Sequence, residues 1–298
     1  MSSTAKSTLS SSSIVNDFKA ITKMGLSLSV VFSAIAGYLL GAETINYNTL
    51  LLLGIGGYAM VGASNVFNQI IERDYDALMN RTKDRPIPAG RMSVRNAFIL
   101  GCFLTLIGIV TLYIINPKTA MFGAISIFLY TSVYTPLKTK TPLSVFFGAI
   151  PGAIPFMLGW VAATNEFDIE PGMLFMIQFF WQFPHFWAIG WFLHDDYKKA
   201  GFNMLPTGKR DKGTAMQTIL YTVWTIIVSI LPVFGFTGKL HLSIVGAVLV
   251  FLIGLVMLYY AFQLFKKMTE KAARQLMLAS VSYITLIQIV YVLDKFIR

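Results

Sequence analysis

Two short stretches of this chain carry polar residues at a spacing that could do chemistry. The first runs Asn65-Val-Phe-Asn68-Gln-Ile-Ile-Glu72-Arg-Asp74-Tyr-Asp76. On a helix, residues four apart drift by only ~40° and rise ~6 Å, so Asn68, Glu72 and Asp76 share one face and Asp74 points elsewhere. An amide and two carboxylates offer hard oxygen ligands. Magnesium takes one or two carboxylates and completes its shell with substrate phosphate and water. Next to this face lie Arg81, Lys83, Arg85, Arg91 and Arg95. Paired N–H donors of arginine clamp phosphate oxygens. A carboxylate face beside such a cluster suits a diphosphate. The bland alternative is a helix end that has reached water; it accounts for Arg73 and Asp74 but less well for the stacked face.

The second stretch runs Trp181-Gln-Phe-Pro184-His185-Phe-Trp187 and continues to His194-Asp195-Asp196-Tyr197-Lys198-Lys199. Asp195, Asp196 and Lys198 read either as a solvated loop or as a second half of the same site. His185 lies ten and eleven residues before the aspartates, ~15 Å along a helix, in apolar surroundings. A hydrogen-bonded core histidine, an axial heme ligand and a proton carrier are the readings open to it. The neighbouring aromatics serve packing, or shield a carbocation, or stack on a flat ring. Lys138 and Lys140 add two more cations after Tyr134-Thr-Pro136. Gly148, Pro151, Gly152, Pro155 and Gly159 suit close helix approach.

Long apolar segments must position these groups. The chain is 55% hydrophobic and 13% charged, with mean hydropathy +0.65; soluble domains carry about 25% charged residues. Segments of ~20 apolar residues cross a bilayer, and only helices and closed barrels satisfy the backbone there. The segments are long and continuous rather than short and alternating. The sequence therefore predicts an all-α polytopic membrane protein with nine spans: 21–41, 49–72, 95–115, 119–137, 143–163, 172–193, 214–236, 241–265 and 273–294. Residues 1–20 read as a disordered N-terminal tail and 21–298 as one domain. The polar, Ser-rich start has neither a transit nor a secretory pattern, which favours a bacterial inner membrane.

With the N-terminus cytoplasmic, every Lys and Arg except Lys118, Lys239, Lys295 and Arg298 falls on the cytoplasmic side, as orientation in a membrane requires. The polar loops 73–94 and 194–213 then share that side. The same distribution accounts for the net charge of +10 without nucleic acid. Cys102, the only cysteine, excludes an internal disulfide and a cysteine metal site. A secondary transporter is a competing class, but it calls for midplane charges at a repeat interface, whereas these cluster at one face.

On these residues the chain resembles the UbiA-type intramembrane prenyltransferases over roughly span one to span nine, and among them the branch acting on heme. The family's first acidic motif matches Asn68, Glu72 and Asp76, with Glu72 where Asp is usual. Arg73-Asp74, Met79, Arg81-Thr82, Arg85-Pro86, Gly90 and Ser93 match the heme-type continuation. So do Pro184-His185-Phe186-Trp187, Asp196-Tyr197, Ala200-Gly201 and Met204-Leu205-Pro206. The second acidic motif is reduced, with Ala200 four residues after Asp196. The resemblance implies nine helices around a central cavity, and farnesyl transfer from farnesyl diphosphate to a vinyl group of heme b. It implies Mg2+ held by Asn68, Glu72, Asp76 and Asp196, and diphosphate held by Arg81, Lys83, Arg85, Lys138 and Lys198. Asp76, Asp196 and Lys138 become the catalytic groups, and His185 the candidate heme residue. Heme A synthase or terminal-oxidase assembly factors are the implied partners. A quinone-precursor acceptor is the alternative, favoured by a full second motif and opposed by the reduced one.

Overall fold

Residues 11–298 are described by a computed structural model of the chain, and every regular element among them is helical. Helix α1 (Ser11–Ile21) precedes α2 (Met24–Gly41) and α3 (Tyr47–Ile71), which a short α4 (Arg73–Leu78) continues. Next come α5 (Val94–Ile115) and α6 (Pro117–Phe128). A π-helical turn at Leu129–Tyr134 leads from α6 into α7 (Thr135–Leu137). Then follow α8 (Ser144–Thr164), α9 (Ile169–Phe192), a short α10 (His194–Lys199) and α11 (Lys212–Ile230). The chain closes with α12 (Ile244–Lys267) and α13 (Glu270–Ile297).

Eight helices among the described residues are long and apolar enough to cross a membrane. The ninth expected span corresponds to α9, which is 24 residues long but is not among those eight. Large apolar side chains face outward, among them Phe103, Leu106, Ile114, Leu249 and Leu252. Exposed apolar surface on this scale is a lipid-facing exterior, not a water-facing one. The protein is a multi-pass membrane protein.

Residues 11–20, expected in a disordered tail, form nearly all of α1. Asp17 pairs with Arg91 at 2.8 Å and Ile21 is buried, so contacts distant in sequence order a segment whose own composition is weak. Residues 1–10 of that tail lie outside the described residues.

Helices α2 and α8 cross at the centre, in contact through glycine. A Cβ at Gly37 would lie 1.9 Å from the Phe156 carbonyl oxygen, and one at Gly159 1.9 Å from that of Ala34. Only residues without a side chain allow this approach. The end of α2 is held by Lys295 on α13, whose ammonium donates to the carbonyls of Leu39, Leu40 and Ala42 at 2.8, 2.9 and 2.5 Å. Three donors meet three carbonyls that a helix end leaves free. Helix α9 packs against α8, α11 and α13. Deep in the bundle, Gln288 on α13 joins Ser33 on α2 to Gln178 on α9 by hydrogen bonds of 3.1 and 3.3 Å.

Candidate functional site

The helix bearing the first motif breaks at Glu72, where φ is −91° and ψ 5°, yet the four-residue ladder survives. Glu72 N–H donates to Asn68 O at 2.9 Å and Asp76 N–H to Glu72 O at 2.7 Å. Asn68, Glu72 and Asp76 therefore stay on one face as their spacing requires. All three are buried, at 1%, 4% and 0% exposure, while the Asp74 carboxylate points to solvent and pairs only with Arg73 at 3.6 Å.

Cations come to this face from three other segments. Lys138 Nζ lies 2.7 Å from Glu72 Oε1, 4.5 Å over the Tyr134 ring and 5.6 Å over the Phe202 ring. Burial disfavours the charged lysine, but Glu72 more than offsets it, and the ammonium titrates above its ordinary value. Arg85 Nη1 lies 2.6 Å from Asp76 Oδ2. Burial nevertheless raises the Asp76 pKa, against the pull of Arg85. Lys23, between α1 and α2, donates to Asn68 Oδ1 at 3.3 Å. Burial and the repulsion of Arg85 and Lys138 lower its pKa to about 7. Its part was missed from sequence, where it read only as a loop cation; the one signal was its place at the start of an apolar span.

The π-helical turn explains how Lys138 arrives. Thr135 N–H bonds to Tyr130 O, and the extra residue per turn rotates the following segment toward α3. Asn68 Nδ2 then donates to Thr135 Oγ1 at 3.2 Å, orienting the amide so that its oxygen meets Lys23. Such turns interrupt α-helices chiefly at functional sites.

The second stretch approaches from above. Asp196 accepts from the Asn80 and Arg81 backbone amides at 2.9 and 3.2 Å and pairs with Lys199 at 3.2 Å. Burial pushes the Asp196 pKa up, but these donors prevail and hold it below the ordinary range. The carboxylate thus clasps the loop after α4; it makes no contact with Asn68, Glu72 or Asp76. Asp195 is exposed and pairs with Arg210 at 3.2 Å. Arg81, Lys83 and Lys198 stand exposed at the rim, with Arg81 6.0 Å from the centre of the Tyr197 ring. His185 is elsewhere, on the flank of α9 facing α13, hydrogen-bonded through Nδ1 to Ser280 Oγ at 2.8 Å.

Among the described residues no three carboxylate, imidazole or thiol groups converge as a closed metal cage. Asp76 Oδ1 is buried without a hydrogen-bond partner. A buried acceptor left this way is costly unless a cation takes it. Two carboxylates and an amide, with substrate phosphates to complete the shell, fit magnesium.

The chain is thus a helical membrane bundle that buries acidic groups among cations at one polar end. The chain belongs to the UbiA prenyltransferase family, whose model matches residues 30–285. It is 73% identical over 288 residues to the protoheme IX farnesyltransferase of Christiangramia forsetii, covering 97% of this chain and 96% of that one. Its fold resembles that of a digeranylgeranylglyceryl phosphate synthase, at TM-score 0.77 and 17% identity over 94% of this chain and 98% of the other. It also resembles a UbiA homolog from Archaeoglobus fulgidus bound to GPP and Mg2+, at TM-score 0.66 and 15% identity over 92% and 99% of the two chains. The protein is a prenyltransferase.

Proposed function

We propose that this enzyme transfers the farnesyl group of farnesyl diphosphate to a vinyl group of heme b, giving heme O with its hydroxyethylfarnesyl side chain. The observation that carries the donor half is the buried meeting of Asn68, Glu72 and Asp76 with Lys23, Arg85 and Lys138. The acceptor half is supported by the 73% identity to a protoheme IX farnesyltransferase.

Asn68, Glu72 and Asp76 would hold Mg2+, which supplies charge neutralisation to the departing diphosphate. Lys138, Arg85 and Lys23 bind the diphosphate oxygens in place of their present carboxylate and amide partners. Arg81, Lys83 and Lys198 gather it from the rim. These cations favour the charge that grows as the allylic C1–O bond breaks. The vinyl group then attacks C1, water adds to the cation left on the porphyrin side chain, and a proton departs. Tyr134 and Phe202, already stacked on Lys138, close the site against early quenching by water. Asp196 serves by holding Asn80 and Arg81, and through them the loop over the site.

The reading places the polar loops in the cytoplasm of a bacterial inner membrane, supported by the concentration of Lys and Arg at the site end. Heme O is too apolar to leave the bilayer, so its recipient, a heme A synthase or a terminal oxidase under assembly, belongs to the same membrane.

The test is purified protein given farnesyl diphosphate, Mg2+ and reduced heme b. The heme should gain the mass of farnesyl plus hydroxyl. Chelator should stop the reaction, and farnesol, lacking the diphosphate, should not replace the donor. Heme returned unchanged while an aromatic quinone precursor is prenylated overturns the acceptor.

A further inference from the structure

We propose that Ser280 is a positioning residue for the acceptor: it holds His185 as the Nδ1–H tautomer, so that Nε2 keeps its lone pair for the iron of heme b. The inference rests on the reading of heme as acceptor and adds to it the atom that ligates and the residue that orients it.

The tautomer follows from counting protons. The Ser280 hydroxyl has one, and it donates to Met277 O at 2.7 Å. With the hydroxyl proton assigned to Met277 O, Ser280 Oγ accepts from His185 Nδ1, 2.8 Å away. That assignment puts the imidazole proton on Nδ1 and leaves Nε2 as an acceptor. Metal-binding histidines are arranged this way, one nitrogen donating to a fixed partner and the other free for the metal.

The ring is held from several sides. Trp181, one turn earlier on α9, stacks on it at 4.7 Å with 19° between planes. The Trp181 indole N–H donates to Ser280 O at 2.6 Å. One residue of α13 thus anchors both rings, through its hydroxyl and its carbonyl. Phe186 meets the imidazole edge-on at 5.6 Å. Ser280 is fully buried, while His185 keeps part of its surface.

A histidine that served only packing would satisfy both nitrogens, because an unpaired acceptor inside a membrane protein is costly. Here Nε2 makes no hydrogen bond among the described residues, and on a residue that is only partly buried it is open to a ligand. Seven residues toward the polar end, on the same face of α9 and ~10 Å away, Phe192 carries the Arg274 guanidinium 4.6 Å over its ring. A neutral nitrogen for the iron, with the Arg274 cation toward the polar end for the propionates, suits one heme.

The experiment titrates heme b into the purified full-length protein and follows the Soret band and the iron–histidine stretch by resonance Raman. Wild type should show histidine ligation. Ser280→Ala should weaken heme affinity 10- to 100-fold, the usual range for losing such a partner, and shift the stretch. Its magnesium-dependent binding of farnesyl diphosphate should stay within twofold of wild type. Ser280→Thr, which keeps the hydroxyl, should restore the stretch. His185→Ala should lose the signature and regain it with added imidazole. Wild-type affinity and spectrum in Ser280→Ala overturn the proposal. A parallel loss of farnesyl diphosphate binding in that variant does so too, because it marks a folding defect. Heme bound by wild type without histidine ligation overturns it while the acceptor reading stands. No heme bound by wild type, with an aromatic acceptor prenylated instead, means that the acceptor reading itself has failed.

Discussion

The Glu72–Lys138 pair should separate stability from activity in a double-mutant cycle. The two charges are 2.7 Å apart and almost wholly buried, at 4% and 8% exposure. At an effective dielectric of about 20 their gross attraction is ~6 kcal/mol, much of it offset by desolvation. Glu72→Gln leaves Lys138 buried among Tyr134, Phe202 and Lys23, and Lys138→Met leaves Glu72 buried near Asp76. Each single change strands a charge and should cost about 3–5 kcal/mol. Both together strand neither, so the double variant should be more stable than the sum of the singles by about 2–3 kcal/mol. Activity should behave differently. The double variant lacks both the proposed metal ligand and the proposed diphosphate cation and should fall at least ~100-fold, like the loss of one donor to a developing oxyanion. Equilibrium unfolding in mixed micelles gives the first quantity, and the mass of extracted heme after fixed-time assays gives the second. Additive singles, each within ~0.5 kcal/mol of wild type, would refute the buried-pair argument. A double variant with near-wild-type turnover would refute the assignment of both groups to the site.

Asp76→Asn should insert and fold but lose magnesium-dependent turnover, since Oδ1 is the buried oxygen with no protein partner; comparable metal-dependent rates in the two proteins contradict this. Asp196→Ala should loosen the loop that carries Arg81 and lower stability by about 1.5–3 kcal/mol, the worth of hydrogen bonds to a charged group. Because the folded pKa of Asp196 is depressed, that difference should be constant above the ordinary carboxylate pKa of ~4. It should shrink as pH falls through the lower folded value; a difference that grows in acid refutes the clasp. Gly159→Ala should destabilise the α2–α8 crossing by at least ~1–3 kcal/mol, because its Cβ would meet Ala34 O at 1.9 Å. Gly54→Ala, with nothing within 4 Å, should be neutral, and equal effects at the two glycines would remove the close approach. On a Cys102→Ala background, Lys83→Cys and Lys209→Cys should both react with an impermeant thiol reagent from the cytoplasmic side only; labelling from opposite sides ends the shared site.

Local periodicity and composition carried a large part of this protein. Apolar runs of bilayer length determined the helical class and came within a few residues of most helix bounds, because lipid leaves the backbone few other options. The four-residue spacing of Asn68, Glu72 and Asp76 placed them on one face, because that geometry belongs to a single helix and survives even the break at Glu72. The basic cluster beside them pointed to a diphosphate, and family resemblance added the farnesyl group and the heme acceptor. What the sequence could not yield were pairings between groups far apart in the chain. Lys23 and Lys138 reach the acidic face only because the link between α1 and α2 turns left-handed at Lys23 and a π turn rotates the segment before Lys138. Neither device has a sequence period. Asp196 is a carboxylate like Glu72 and Asp76, but tertiary structure turned it onto the Asn80 and Arg81 amides. The order in α1 likewise came from Arg91, more than 70 residues away. His185 could be read from sequence only as a lone histidine on an apolar helix. Its partner, Ser280, lies 95 residues further on, and only the packing of α9 against α13 brings the two together.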